Sequence, residues 1–424
     1  MLLINISISY EHNMNSMNIK IGQNHSKTIA IIGAGPAGNY AAELLAKSGF
    51  DVHVFEEHSK IGEPWQCTGI VTDSINKIIN LNTINNNTDN KIGQTNSSAV
   101  INKTKTIRIY SPENNFIDFK LSKENIILNR AKFDQLLAKR AKEAGAKYHL
   151  NNKFIDFKIS ADKIVAEIEC KENKHPNKKS KTKNKAKEFF CDYLIGADGP
   201  FSAVAKTAGM FGNRKFYYGM QARINLKNEN IVETFPNVGA FSWIVPENKN
   251  IARIGVIADK NLKQNFSELL DKIKKIKELK KIKIIDYQAG PVPIYQKTKI
   301  EQTEKNKTKV FLIGDAALQV KATTFGGIIH GLMAAELLCE AINKNKSYQK
   351  LCNKKINRDL WLSLKIRKTL NKMTDQDYNK LIELVKTEKA KKILEQHDRD
   401  FPSKFIIKMI KAQPKLLLFI NKLF

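Results

Sequence analysis

Apolar and polar positions change their period several times along the chain, and each change marks an element. The apolar run Ile29-Ala30-Ile31-Ile32 meets Gly33, Gly35 and Gly38. A helix-favouring segment, Asn39 to Lys47, follows and breaks at Ser48-Gly49; a second β-rich run, Val52 to Phe55, ends at Glu56. This order predicts strand, Gly-rich turn, helix and strand over residues 28–56. Residues 124–150 read as a strand, Arg130, an amphipathic helix ending at Gly145, and another strand. Residues 163–169 and 189–195 read as the arms of a hairpin, and residues 216–259 alternate apolar and polar as a half-buried sheet does. A Lys-rich amphipathic helix is expected over 261–280, then a strand in 281–295 that ends in a Pro-bounded loop. Residues 310–342 give an apolar strand to Gly314-Asp315, the loop KATTFGG, and a helix with apolar positions from Ile328. Residues 345–400 are charged and helical. Two stretches lack a period: 82–105 is polar and of low complexity, hence a surface loop, and 1–26 is polar and Asn-rich. The latter reads as a disordered tail or a mis-assigned start, with Met14 or Met17 as the alternative beginning.

The first of these blocks carries chemistry. Gly33 permits a tight turn, Gly35 lets a pyrophosphate approach the backbone, and Gly38 lets helix and strand pack closely. The helix start presents free N–H groups and positive partial charge to a phosphate. Glu56 lies 18 residues beyond Gly38, near the roughly 20-residue offset of a carboxylate that accepts from ribose hydroxyls. A ligand-free βα turn has the same glycines, but the flanking strands and the acidic end favour a dinucleotide site.

Composition narrows the classes. The chain has 424 residues with 42% apolar content, enough for two domains or one elaborated one. Its formal net charge of +29 points to anionic partners such as a membrane surface, nucleic acid or acidic proteins. Most of the lysines are scattered or sit in polar loops, where they fill solvated positions. The eight lysines within 171–188 read as a solvated hairpin tip rather than a nucleic-acid arm, because no aromatic residue or Arg interleaves them. The five cysteines, Cys67, Cys170, Cys191, Cys339 and Cys352, form no CxxC pair. That argues against a zinc site or a disulfide framework and for a reducing cytosol. No run of 18 apolar residues exists, so no membrane-spanning helix is expected.

Single residues stand out against bland alternatives. Cys67 sits in a Gly/Pro loop after the second strand, where it either packs as a small buried hydrophobe or reaches a cofactor ring. Arg130 at a strand-to-helix turn either meets a phosphate or ribose or is solvated. The turn Gly196-Ala197-Asp198-Gly199, followed by Ser202, returns the chain to the nucleotide-binding core. Trp243 and Pro246 either line an apolar pocket or fill sheet core. Asp315 is placed to accept from ribityl hydroxyls, and Gly326 and Gly327 offer N–H groups at a helix start. His330 reads as packing. The tail 401–424 mixes Phe, Ile and Leu with five lysines, either a helix on an anionic membrane or one packed on the body.

Three ordered blocks, GAGPAG with Glu56, Gly196-Ala197-Asp198-Gly199, and Gly314-Asp315, resemble the FAD-dependent oxidoreductases of the aromatic-hydroxylase type. Within them the chain is similar to the geranylgeranyl reductases, especially the archaeal digeranylgeranylglycerophospholipid reductases. The closer pointers are Gly62-Glu63-Pro64, Cys67-Thr68-Gly69, Ser242 to Pro246 and Lys321 to Ile328. The resemblance implies an α/β fold: an FAD-binding three-layer β/β/α domain, an antiparallel substrate-binding sheet and a helical C-terminal region. Its expected bounds are 27–200 with 296–345 for the FAD-binding part, 201–295 for the sheet, and 346–424 for the helical region. It implies non-covalent FAD, with Ala37, Glu56, Arg130 and Asp315 at the nucleotide and ribityl portions and Asp198 among the cofactor-binding residues. Cys67, Thr68, Gly327 and Ile328 would approach the isoalloxazine. Cys67 is the catalytic candidate, and Trp243 and Pro246 the substrate-pocket candidates.

The expected activity is saturation of isolated C=C bonds in geranylgeranyl chains of membrane-lipid precursors, at the cytoplasmic membrane face. The expected partners are a prenylated lipid and an electron donor, reduced ferredoxin or NAD(P)H. A flavin monooxygenase or halogenase, and a flavoprotein passing electrons to a quinone, are the rival readings. The chain departs from the family at three places. A pocket signature close to YxWxFP becomes Phe241, Trp243, Val245 and Pro246; an Asn-Val-Gly becomes Arg253-Ile254-Gly255; and Phe325 stands where a third glycine is common.

Overall fold

The computed structural model describes residues 27–64, 67–81, 99–170, 185–303 and 309–423. The opening strand, Thr28–Ile32, lies at the centre of a parallel sheet ordered Lys309–Leu312, Tyr193–Gly196, Thr28–Ile32, Asp51–Glu56 and Lys147–Leu150. Glu301–Thr303 adds an antiparallel edge. Burial on both faces explains the continuous apolar runs: Ile29, Ile31, Val52, Leu194 and Val310 are fully buried. Helices Pro36–Lys47, Arg130–Glu143 and Ile328–Asn343 pack together over one face. A three-stranded sheet, Asn152–Ser160, Lys163–Cys170 and Lys185–Cys191, packs Phe154, Ile164 and Ile168 into the same core. These are the three layers.

The second sheet has eight strands, ordered Lys283–Pro293, Phe216–Asn225, Ile251–Ala258, Phe241–Asn248, Val232–Phe235, Val100–Tyr110, Phe116–Leu128 and Ile70–Thr72. Its pairs are antiparallel except where Val232–Phe235 runs parallel to Val100–Tyr110. Helix Leu262–Ile276 seals one face with Phe266, Leu269 and Ile273. Trp243, Val245 and Ile257 belong to a separate cluster with Phe325.

Several expectations need correction. Strands 70–72, 100–110 and 116–128, expected within the nucleotide-binding part, pair in the second sheet instead. Residues 100–105, expected as loop, are strand; the rest of that polar stretch and residues 1–26 lie outside the described residues, apart from Ala99. Strand 163–170 pairs with 185–191, while 193–196 leaves the expected hairpin for the parallel sheet. The C-terminal region is helical as expected, over Tyr348–Lys355, Asn357–Leu370, Asp375–Val385 and Glu388–Gln396. The tail is not one helix. It forms a short 3-10 turn at Pro402–Lys404, a helix at Ile406–Ala412 and a second 3-10 segment at Pro414–Leu423. Pro414 explains the break, since it has no N–H to continue the helix. Pro402, Met409 and Phe419 are buried, so part of the tail's apolar surface packs on the body. Among the described residues no helix is long and apolar enough to cross a membrane.

Candidate active site

A cavity of about 1190 Å³ opens at the carboxyl ends of the parallel strands and continues onto the second sheet. The strand order reverses between Thr28–Ile32 and Tyr193–Gly196, the place where such sheets leave a crevice. The three glycines of the opening turn do three different things. Gly33 has φ +102, and a Cβ there would stand 2.4 Å from the Ala197 carbonyl oxygen. A Cβ on Gly38 would meet the Gly33 carbonyl oxygen at 2.2 Å. Gly35 has nothing within 4 Å of that position, so its side faces open cavity. Gly33, Gly35 and Ala37 line the cavity; Gly38 packs behind them. Pro36 begins the helix, no side chain caps it, and no acid occupies its first turn. The N–H groups are therefore left for an anion.

Glu56 closes this end. One carboxylate oxygen accepts from the Ala34 N–H at 2.8 Å, and the other engages His58 Nδ1 at 2.6 Å. Arg130, at the head of its helix, is largely buried and pairs with Asp134 at 3.1 Å. Burial raises the Asp134 carboxyl to about 6, against the opposing charge of Arg130. Cys67 lies beside Arg130 and is half-buried in the cavity wall, not lost in the core. Its Sγ accepts from the Gly69 N–H at 3.3 Å, and Thr68 Oγ1 donates to Gln221 at 2.8 Å. Asp198 lines the cavity, but its oxygens accept from Ser202 Oγ at 2.6 Å and from the Val204 N–H at 3.1 Å, within its own turn. Asp315 makes no side-chain hydrogen bond among the described residues and sits 3.1 Å from where a Gly327 Cβ would be. Burial raises its carboxyl, while Arg130 and Arg214 oppose the rise. A half-buried carboxylate at a cavity wall with acceptor capacity to spare suits a polyol chain. Together with the Gly35 opening, it fits a flavin dinucleotide.

The second sheet supplies an apolar wall that includes Ile107, Phe119, Val232, Phe241, Trp243 and Ile257. The Trp243 indole packs over Gly255, and its buried Nε1 has no hydrogen-bond partner among the described residues. Pro246 is off the cavity: it is buried, and its carbonyl accepts from Asn102 at 2.9 Å. The pleat explains why. Trp243 and Val245 face the cavity, so Pro246 points to the other side.

Three buried arginines brace the site, and sequence reasoning missed their roles. Arg253 donates to the Thr68 carbonyl and, at 3.1 Å, to that of Leu128, with Glu247 at 2.6 Å as its counter-ion. Arg214 joins the Pro200 and Ala316 carbonyls at 3.0 and 2.7 Å, linking the Asp198 and Asp315 turns. Arg367, from the C-terminal helices, donates to the carbonyls of Ala240, Ala322 and Thr323. Phe325 adopts φ +56, left-handed backbone where glycine is easiest, and its ring packs between Tyr217 at 4.9 Å and Arg367 at 5.3 Å. His330 is buried in its helix, and both ring nitrogens lack a hydrogen-bond partner among the described residues. The segment 394–401 also reaches the cavity, which no local pattern had indicated.

The chain matches the model of the FAD binding domain family over residues 26–344. It is 25% identical to digeranylgeranylglycerophospholipid reductase 1 of Methanothermobacter thermautotrophicus, over 93% of this chain and 98% of that one. It is 26% identical to digeranylgeranylglycerophospholipid reductase 2 of Methanosphaera stadtmanae, over 93% and 99%. Among solved structures, a geranylgeranyl bacteriochlorophyll reductase-like protein of Thermoplasma acidophilum superposes with a TM-score of 0.74 at 21% identity, covering 94% of this chain and 100% of that one. The flavin-dependent halogenase CmlS superposes with a TM-score of 0.67 at 16% identity, covering 94% and 78%. These two likenesses speak for the fold. The chain belongs to the FAD binding domain family and is an FAD-dependent oxidoreductase, similar along nearly its whole length to digeranylgeranylglycerophospholipid reductases.

Proposed function

We propose that this enzyme saturates isolated C=C bonds in geranylgeranyl chains of membrane glycerophospholipid precursors. One observation carries the reading: a single cavity is lined by the Gly33–Ala37 turn, Glu56 and Asp315 at one part and by the apolar Trp243 wall at another. The names of the relatives point to the same substrate class. Bound and reduced, FAD supplies a hydride equivalent. The helix start at Gly35 and Ala37 holds the pyrophosphate, Glu56 the adenosine ribose and Asp315 the ribityl chain, with Arg130 and Asp198 flanking. Cys67, Thr68, Gly327 and Ile328 shape the space around the ring, and Cys67 orients that face. An isolated alkene accepts hydride poorly, so a proton must arrive with it. The apolar wall of Phe241, Trp243 and Ile257 keeps water from the cationic character that develops.

The lipid arrives from a membrane surface in this reading. In the tail Ile407, Leu417 and Leu418 are exposed, as are Lys404, Lys408, Lys411 and Lys415, and Trp361 is exposed on the helix Asn357–Leu370. Apolar side chains with neighbouring cations suit an anionic bilayer on the cytoplasmic side. Co-sedimentation with vesicles containing anionic lipid, lost in a variant with all four lysines changed to Gln, is the expected result. Equal binding by that variant refutes the surface assignment.

The deciding experiment for the reaction is anaerobic. The flavin is reduced with dithionite, geranylgeranylated glycerophospholipid is added, and products are weighed by mass spectrometry. Stepwise gains of two hydrogens per double bond support the reading. No gain, with flavin bound and reducible, overturns it in favour of oxygen-dependent chemistry or quinone reduction.

A further inference from the structure

Lys321 is a buried amine inside the cavity, on the loop that leads to Gly326-Gly327. A Cβ on Gly326 would stand 3.2 Å from Lys321 Cε and 3.7 Å from its Nζ, so the amine lies directly against that turn. The Lys321 N–H donates to the Gly326 carbonyl at 3.2 Å, which folds the turn over the side chain. The amine pairs with Asp400, and each side chain is only 5% exposed. The second Asp400 oxygen accepts from Thr72 Oγ1 at 2.8 Å. Asp398 accepts from Ser74 Oγ at 2.5 Å and from the Asp400 N–H at 2.8 Å, and Arg399 donates to Asn125.

The charged and titratable groups around the amine are therefore Asp398, Arg399 and Asp400 on one side and His330 on the helix behind. Burial and the Arg399 charge push the Lys321 amine down, with Asp398 opposing. Burial and the neighbouring Lys321 push His330 down to about 3, which keeps that ring neutral. A buried ion pair is a weak device for stability, because apolar replacements of equal volume are often as good. One that lines a cavity against the Gly326-Gly327 turn calls for a chemical role.

We propose that Lys321, held by Asp400, is the catalytic acid that protonates the alkene; this rests on the reductase reading above. A hydride equivalent, which bound and reduced FAD would supply, would form a C–H bond at one alkene carbon. The π pair breaks and takes a Lys321 proton at the adjacent carbon. Lys321 is left as the neutral amine and regains a proton from water by way of Asp400. The two electrons would be those of the bound, reduced FAD, and the external donor would replace them.

The first test needs neither FAD nor turnover. Lysine Cε carbons are labelled with carbon-13 in the FAD-free protein, and the Lys321 signal is assigned by its loss in Lys321→Arg. Its titration midpoint is expected below the ordinary lysine value of about 10.4. A signal that titrates with the surface lysines overturns the proposal. The second test is anaerobic single turnover. Lys321→Arg keeps the charge and the Asp400 partner but does not release its proton. It is expected to bind FAD and accept electrons from dithionite normally while saturating the chain about 100-fold more slowly. An unchanged rate overturns the proposal. Where Lys321→Arg does not fold, Lys321→Met provides the assignment and Asp400→Asn the kinetic test. Removing the carboxylate lowers the pH at which the amine loses its proton, so the falling limb of the pH–rate profile moves to lower pH, and an unmoved limb overturns the proposal. A wild-type enzyme that saturates no double bond removes the reductase reading itself, and that failure is distinct from a working wild type with an equally fast Lys321→Arg.

Discussion

Gly255 faces Trp243 across one strand pair and Gln221 across the other. A Cβ at residue 255 would lie 2.3 Å from Trp243 Cζ2, 2.6 Å from Cε2 and 2.8 Å from Gln221 Cβ. Carbon atoms rest at about 3.5–4.0 Å, so Gly255→Ala forces the indole back by roughly 1.2 Å or more. The Phe241 ring stacks at 6.0 Å on one side, and the strands fix the base, which leaves the cavity as the direction of retreat. Overpacking of this kind costs about 1–3 kcal/mol. The assay is unfolding of four proteins: wild type, Gly255→Ala, Trp243→Leu and the double variant. Trp243→Leu removes the ring that clashes most and leaves the 2.8 Å approach to Gln221 Cβ, so adding Gly255→Ala to it should cost less than in wild type, with a coupling of at least about 1 kcal/mol. FAD affinity should stay as in wild type, because the clash lies on the apolar wall. Strictly additive losses refute the reasoning, since the two positions would then not be in conflict.

Three further outcomes are expected. Gly38→Ala places a Cβ 2.2 Å from the Gly33 carbonyl oxygen and displaces the helix start; FAD affinity by fluorescence titration should fall by about tenfold or more, and an unchanged affinity contradicts the assignment of the pyrophosphate. Arg367→Met leaves the carbonyls of Ala240, Ala322 and Thr323 without their donor; denaturant unfolding should show a loss of about 3–5 kcal/mol, and a loss under about 1 kcal/mol refutes the brace. Asp134 titrates higher in the folded state, at about 6, than its ordinary 3.8. The folded state thus holds that proton more tightly, and the group's contribution is favourable at low pH and lost as pH rises through about 4 to 6. The loss is at most about 3 kcal/mol and is shared with Arg130. Asp134→Asn should flatten that section of the stability curve, and urea unfolding at several pH values that shows the wild-type slope in the variant refutes it.

Residues whose roles depend on near neighbours were legible in the chain. The turn at Gly33, the helix after it, and the strand ending at Glu56 follow from dihedral freedom and hydrophobic period, both set within a few residues. Arg130 at its strand-to-helix turn and Asp315 after its strand follow for the same reason. The family blocks added an order of sites along the chain and the cofactor. Strand 100–110 was partly hidden, because Asn102, Lys103, Thr104 and Lys105 give its first half no apolar face to count.

The tertiary structure alone decided the bracing and the far wall. Arg253 meets Thr68 from 185 residues away, and Arg367 meets Ala322 from 45. Their acceptors are backbone carbonyls, which every residue carries, so no residue type marks the partner in advance. Asp400 is likewise an ordinary carboxylate near the end of the chain until folding buries it against Lys321 and Thr72. By itself the sequence determined the nucleotide turn, the secondary elements around it and the flavin family, because those depend on local sterics and spacing. Which distant side chains close the cavity depended on how two sheets and the C-terminal helices pack, and packing is a property of the whole chain.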